Sequence, residues 1–162
     1  MTPTLDIQQP RPFDLVGQTI LIAGNATAFE GTLTIHVSEG HDEYSGFTSV
    51  GALGLRQFQG AIEIPASHSF QLNRLFLTLA DDTGNENGPS VTIPVLFGPR
   101  LLPGYRGWQP HTVQPGDTLT SIAQSHYGNG NFTPIFEANQ HVLASPDLIF
   151  PGQILRIPRS DI

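Results

Sequence analysis

The chain contains no cysteine, which excludes disulfides, thiolate zinc sites and cysteine nucleophiles. It leaves the redox compartment open. Lysine is also missing: the seven basic residues are all Arg, against 14 Asp and Glu, for a net charge of −7. Nucleic acid is therefore not an expected partner, because phosphate binding needs a basic face. Charged residues make up only 13% of the chain. No run approaches the roughly 18 apolar residues of a membrane-spanning helix. The opening residues, Met1 to Ile7, have neither a basic n-region nor an apolar h-region. The expected localisation divides accordingly: cytoplasmic if Met1 is the true start, cell envelope or extracellular if a leader has been removed.

What the chain has in quantity is turn formers, 17 Gly and 14 Pro, together with ten Phe and a hydrophobic fraction of 38%. That balance favours short strands and turns over long helices. From Leu5 to Phe97 the hydrophobic pattern repeats with period two. Leu33, Ile35 and Val37 alternate with Thr32, Thr34 and His36; Ile62 and Ile64 lie opposite Glu63. Leu75, Leu77 and Leu79 share one side, as do Val91, Ile93 and Val95. With Thr19–Ala23 and the weaker Asp6–Ile7 and Tyr44–Val50, about seven strands are expected at the spacing of a β sandwich. Turns are expected at 39–42, 65–68 and 81–88.

Residues 99–109, rich in Gly and Pro and without periodicity, read as a linker of limited flexibility. Its aromatics, Tyr105 and Trp108, are expected to pack on a flanking domain, with sugar stacking as the sharper alternative. Domains are thus expected at 1–98 and 110–160. After Val113 the period changes to 3.6. Leu119, Ile122, Ala123, His126 and Tyr127 form one helical face. Asp117 or Thr118 is expected as its cap and Gly128 as its end. A second helix is expected to start at Thr133–Pro134, with Thr133 as cap, and to run to about Asn139. A last strand at Gln153–Pro158 must pair antiparallel with the strand before the first helix, since nothing else could satisfy its backbone groups. The order is strand, helix, helix, strand.

No catalytic constellation emerges, and no enzyme, cofactor or metal is expected. The histidines at 36, 41, 68, 111, 126 and 141 show no paired ligand spacing. His126, on a helix face, is expected to be structural. Asp81, Asp82, Asn85 and Glu86 lack calcium-loop spacing and read as a solvated turn. Ser121 and Ser125 lack a Gly-x-Ser-x-Gly context.

Two resemblances add to this reading. Gly24 to Ile35, with its Phe29-Glu30-Gly31 core, and the ending Ser90 to Leu96 look like the Gmad2 family. These are immunoglobulin-like domains found beside spore-germination and cell-surface modules in bacteria. The resemblance implies an all-β immunoglobulin-like sandwich with an accessory role and no catalytic residues. Downstream, the chain resembles a LysM domain almost end to end. The matching residues are Val113-Gln-Pro-Gly-Asp-Thr-Leu119, Ile122-Ala123, Tyr127-Gly128, Ile135-Phe136-Glu-Ala-Asn139, Asp147-Leu-Ile-Phe-Pro-Gly-Gln-Ile-Leu155 and Ile157-Pro158. Phe150 stands where these sequences usually have Tyr. This resemblance implies a small α+β (βααβ) fold that binds N-acetylglucosamine-containing glycans, chiefly peptidoglycan or chitin. The implied groove has Gly116, Asp117, Thr118 and Leu119 on one wall and Leu148, Ile149, Phe150, Pro151 and Gly152 on the other. Residue chemistry leaves alternatives open, since Asp117 could be a helix cap and Leu119 and Leu148 plain core. The expected function is non-catalytic attachment to peptidoglycan, with the sandwich as spacer or platform for a protein partner. The alternative is an intracellular or assembly protein that uses the module for docking, and a small-ion or ligand-sensing role is a weaker third.

Overall fold

The computed structural model describes residues 4–27, 31–50, 54–82 and 88–161. The chain divides into two compact units, Met1–Phe97 and Gly98–Ile162. A β-rich unit thus precedes a smaller one that carries the longer helices.

The first unit contains β1 (Leu5–Gln9), β2 (Leu15–Val16), β3 (Thr19–Ala26), β4 (Thr32–Ser38), β5 (Glu43–Ser49), β6 (Arg56–Glu63), β7 (Arg74–Ala80) and β8 (Ser90–Phe97). One sheet has the order β1-β3-β6 and the other β2-β8-β7-β4-β5. Registry follows from the hydrophobic alternation, because slipping one residue would turn every apolar side chain to water. Ile35 faces Leu79 and Val37 faces Leu77 across β4 and β7, while Leu75 faces Val95 across β7 and β8. These residues share a single core with Ile20, Ile22, Phe58 and Ile62 from the other sheet. Each such side chain contributes roughly 1.5–3 kcal/mol on burial. The turn read at 39–42 has a further role. The Glu39 carboxylate accepts from the Gln71 and Leu72 N–H groups at 2.6 and 2.7 Å, tying two loops together. Phe29 and Glu30 of the Gmad2-like run, and Asn85 and Glu86 of the acidic turn, lie outside the described residues.

The second unit corrects the expected linker. Residues 98–112 form a helical turn, α1 (Gly98–Leu101), and a strand, β9 (Tyr105–Thr112). β9 pairs antiparallel with β10 (Ile154–Ser160), from Ile154 opposite Thr112 to Ser160 opposite Tyr105. The half-buried positions of β9 are Tyr105, Gly107, Gln109 and His111, a stripe without aliphatic residues and therefore silent in a hydrophobicity pattern. Backbone pairing in a two-stranded ribbon does not require that pattern. Pro110 is accommodated because β9 is an edge strand. Trp108 points outward and is exposed.

α2 (Leu119–Tyr127) and α3 (Thr133–Ala138) complete the unit. Thr118 caps α2: its hydroxyl accepts from the Ser121 N–H at 3.0 Å, and the Thr118 N–H donates to the Ser121 hydroxyl at 2.9 Å. Gly128 ends α2 in the left-handed conformation. Thr133 is not a cap but the first residue of α3, and no side chain caps that helix. Val113, Leu119, Ile122, Ala123, Ile135, Leu143, Leu155 and Ile157 form the core.

Candidate functional site

The second unit contains two turns of the same construction. In Gln114-Pro115-Gly116-Asp117 the Asp117 N–H donates to the Gln114 carbonyl at 3.0 Å. In Phe150-Pro151-Gly152-Gln153 the Gln153 N–H donates to the Phe150 carbonyl at 3.1 Å. Each has Pro second and a positive-φ Gly third, at +88° for Gly116 and +87° for Gly152, the sequence and backbone pattern of a type II turn. In each, the fourth side chain reaches back to the first backbone N–H. Asp117 Oδ2 accepts from Gln114 at 2.9 Å, and Gln153 Oε1 accepts from Phe150 at 3.2 Å. Val113 joins the two turns, donating its N–H to the Gln153 carbonyl and accepting from the Gly152 N–H, both at 2.8 Å.

Val113 thus ties the two turns together, and most of the residues expected on the two walls reach solvent. Leu148 and Phe150 are 53% and 64% exposed, and Ile154, which the sequence reading missed, is 65% exposed. Gly116, Thr118, Pro151 and Gly152 are exposed, while Asp117 and Ile149 are half-buried. Ile149 packs against the core. Leu119 is corrected: at 2% exposure it is core and offers no wall, because the first apolar residue after the cap faces inward. Asp117 is not the helix cap, since its carboxylate serves the turn and His111. Those two hydrogen bonds hold its pKa below the ordinary 3.8.

The structure also joins side chains that spacing could not pair. His111 Nε2 lies 3.2 Å from Asp117 Oδ2, and His111 Nδ1 lies 3.2 Å from His126 Nε2. His126 Nδ1 lies 2.9 Å from Gln109 Nε2. The imidazoles meet edge to face at 82°. Burial, and then the neighbouring His111, lower the His126 pKa from its ordinary 6.5. His126 also lines a cavity of about 480 Å³ together with Gln109, Tyr127, Asn131 and Pro158. None of the residues expected on the two walls lines that cavity. The links run between a strand and a helix 15 residues apart, beyond the reach of local pattern. Among the described residues, no group of three or more His, Asp or Glu is arranged to hold a metal ion. The Ser121 hydroxyl is committed to the α2 cap, accepting from the Thr118 N–H and donating to the Thr118 carbonyl. Among the described residues, no helix is long and apolar enough to cross a membrane.

Comparison with known proteins agrees with this division. Residues 111–158 match the LysM domain family, and residues 4–83 match the immunoglobulin-like domain of bacterial spore germination, Gmad2. The potassium binding protein Kbp of Escherichia coli is 57% identical over 49 residues, 30% of this chain and 33% of that protein. An uncharacterized protein of Deinococcus radiodurans is 47% identical over 49 residues, 19% of its length. The chain thus spans a third or less of the curated relatives it matches. A crystal structure of an engineered protein aligns over 59% of this chain and 20% of its own at 13% identity. Its TM-score is 0.41, too low to carry an argument. Peptidoglycan binding is the usual function of LysM domains, and neither matched family is catalytic. The chain carries a LysM domain at residues 111–158, preceded at 4–83 by a Gmad2 immunoglobulin-like domain.

Proposed function

We propose that the protein is a non-catalytic binding protein that attaches to N-acetylglucosamine-containing cell-wall polymer, peptidoglycan first, through the two Pro-Gly turns of its LysM domain. The contacts are Gly116, Asp117, Thr118, Leu148, Ile149, Phe150, Pro151 and Gly152, with Ile154 added and the buried Leu119 side chain withdrawn. The observation that carries the reading is the exposure of Leu148, Phe150 and Ile154 beside two hydrogen-bonded turns. Exposed apolar side chains can cover a sugar face and an acetamide methyl, while turn backbone groups bond the amide. The first unit, taken as an immunoglobulin-like sandwich, serves as spacer or partner platform. This function places the protein at the bacterial cell envelope or outside the cell. A single module binds weakly, so repeated engagement along the polymer supplies retention.

Co-sedimentation of the full chain with insoluble peptidoglycan tests the reading, with soluble N-acetylglucosamine oligomers as competitor and glucose oligomers as control. Phe150→Ala is expected to weaken retention about five- to tenfold, the loss of roughly 1 kcal/mol of aromatic contact. Retention unaffected by either the competitor or Phe150→Ala, Leu148→Ala overturns it.

The 57% identity to a protein named for potassium binding favours one second reading, recognition of a small cation. Calorimetric titration with KCl against NaCl decides it, and equal heats for both salts rule it out.

A further inference from the structure

We infer that His111 and His126 form a clamp between β9 and α2 that accepts one extra proton but not two, so that acidification releases α2 and the Gln114–Asp117 turn beside it. The inference starts from hydrogen-bond bookkeeping. Ionised Asp117 can only accept, so His111 Nε2 must carry the proton at that 3.2 Å contact. A neutral His111 then presents a lone pair at Nδ1, and His126 donates to it from Nε2 at 3.2 Å. His126 Nδ1 is left to accept from the Gln109 amide at 2.9 Å. With both rings neutral, this is the assignment in which every N–H meets an acceptor.

One added proton fits. His111 becomes an imidazolium donating to Asp117 and to His126; His126 moves its own proton to Nδ1, and the Gln109 amide turns its oxygen toward it. A second proton does not fit, because Nδ1–H of His111 and Nε2–H of His126 would then point at each other between two cations. The other titratable or charged groups facing the pair do not relieve this. Asp117, from the turn, is already bound to His111. Tyr127, next to His126 on α2, donates its hydroxyl to the Pro158 carbonyl. Arg159 of β10 lines the same cavity as His126 and adds a like charge, while α3 contributes only Pro134 there. The burial that disfavours a charged His126 acts in the same direction.

Control of glycan retention follows only if the preceding reading of the Pro-Gly turns holds, since Asp117 and Thr118 belong to that surface. The clamp itself is tested without a glycan. Nitrogen NMR of the imidazoles in the full chain, titrated from pH 8 to pH 4, reports tautomers and charge. The expected result is Nε2–H on both rings at the alkaline end, then two uptake steps separated by at least about one pH unit. Protection of the α2 amides, measured against the intrinsic exchange rate at each pH, is expected to fall about tenfold at the second step. In His126→Gln, which retains amide hydrogen bonding, that fall should vanish. Two independent steps near the ordinary imidazole value of about 6.5, or α2 protection unchanged across the second step, overturn the clamp. Peptidoglycan co-sedimentation across the same range separates the two ideas. Retention at pH 7 that persists through the second step overturns control of the site, whereas absence of retention at every pH overturns the glycan reading and leaves the clamp to the NMR result.

Discussion

The carboxamide of Asn139 reaches three backbone groups of two elements. Its Nδ2 donates to the Ile135 and Arg156 carbonyls at 2.7 and 2.8 Å, and its Oδ1 accepts from the Arg156 N–H at 2.8 Å. At 1% exposure no water replaces these partners. Asn139→Ala is therefore expected to destabilise the second unit by about 2–3 kcal/mol, read as the urea midpoint, because buried backbone groups are left unsatisfied. Asn139→Asp should cost at least as much, since it removes the donor and puts a carboxylate against two carbonyls. Gly116 and Gly152 illustrate a different residue-scale constraint. A Cβ at either would touch nothing within 4 Å, so the requirement is the positive φ and not space. Replacement by Ala is expected to cost about 1 kcal/mol at each position, measured by the same denaturation. The sequence marks both glycines through the Pro before them. It gives no sign that Asn139 is buried, because an Asn after a helix reads equally well as an exposed cap.

At the scale of elements, α2 is the segment whose ends are both encoded locally. Thr118 and Ser121 close a reciprocal capping box, and Gly128 takes the left-handed exit. Thr118→Ala is expected to lower the stability of the second unit by about 1 kcal/mol, visible as reduced helicity and an earlier thermal transition. Ser at that position should recover most of the loss. β9 shows the opposite situation. Its backbone partners are supplied by β10, more than 40 residues later by the numbering of the pairs Leu155–His111 and Ile157–Gln109. Its own composition, with Gly107 and Pro110, argues against a strand when read alone. The strands of the first unit were legible for the converse reason. Leu33, Ile35 and Val37 or Leu75, Leu77 and Leu79 write the buried face directly into the alternation. Phe29 and Glu30, quoted for the family resemblance, lie outside the described residues and take no part in that argument.

For the molecule as a whole, the titrating groups set a stability window with a defined sign. His126 has a folded pKa below its ordinary 6.5, so the unfolded chain binds the extra proton first and stability falls as pH drops through that value. Asp117 and Glu43 are held below their ordinary 3.8 and 4.5, Glu43 by hydrogen bonds from Ser45 and then His36. Their contribution is present above those values and is lost as pH falls further. Burial pushes Tyr105 and Tyr127 up to about 12, so their contribution is lost as pH rises from 10 toward 12. Thermal melting across pH is expected to show a plateau near neutrality with decline on both sides, and phenolate absorbance should show Tyr105 and Tyr127 ionising late. A midpoint that rises on acidification from pH 7 to 5 contradicts the assignment of His126. The amino-acid sequence by itself determined the two-part organisation, the apolar faces of the strands and the limits of α2, because each rests on neighbours within about one turn or one strand of chain. Only the tertiary structure decided that 99–109 contributes a strand and that His111 meets His126 and Asp117. Those outcomes depend on backbone pairing and packing between residues far apart in the chain, whose energies leave no periodic trace in the sequence.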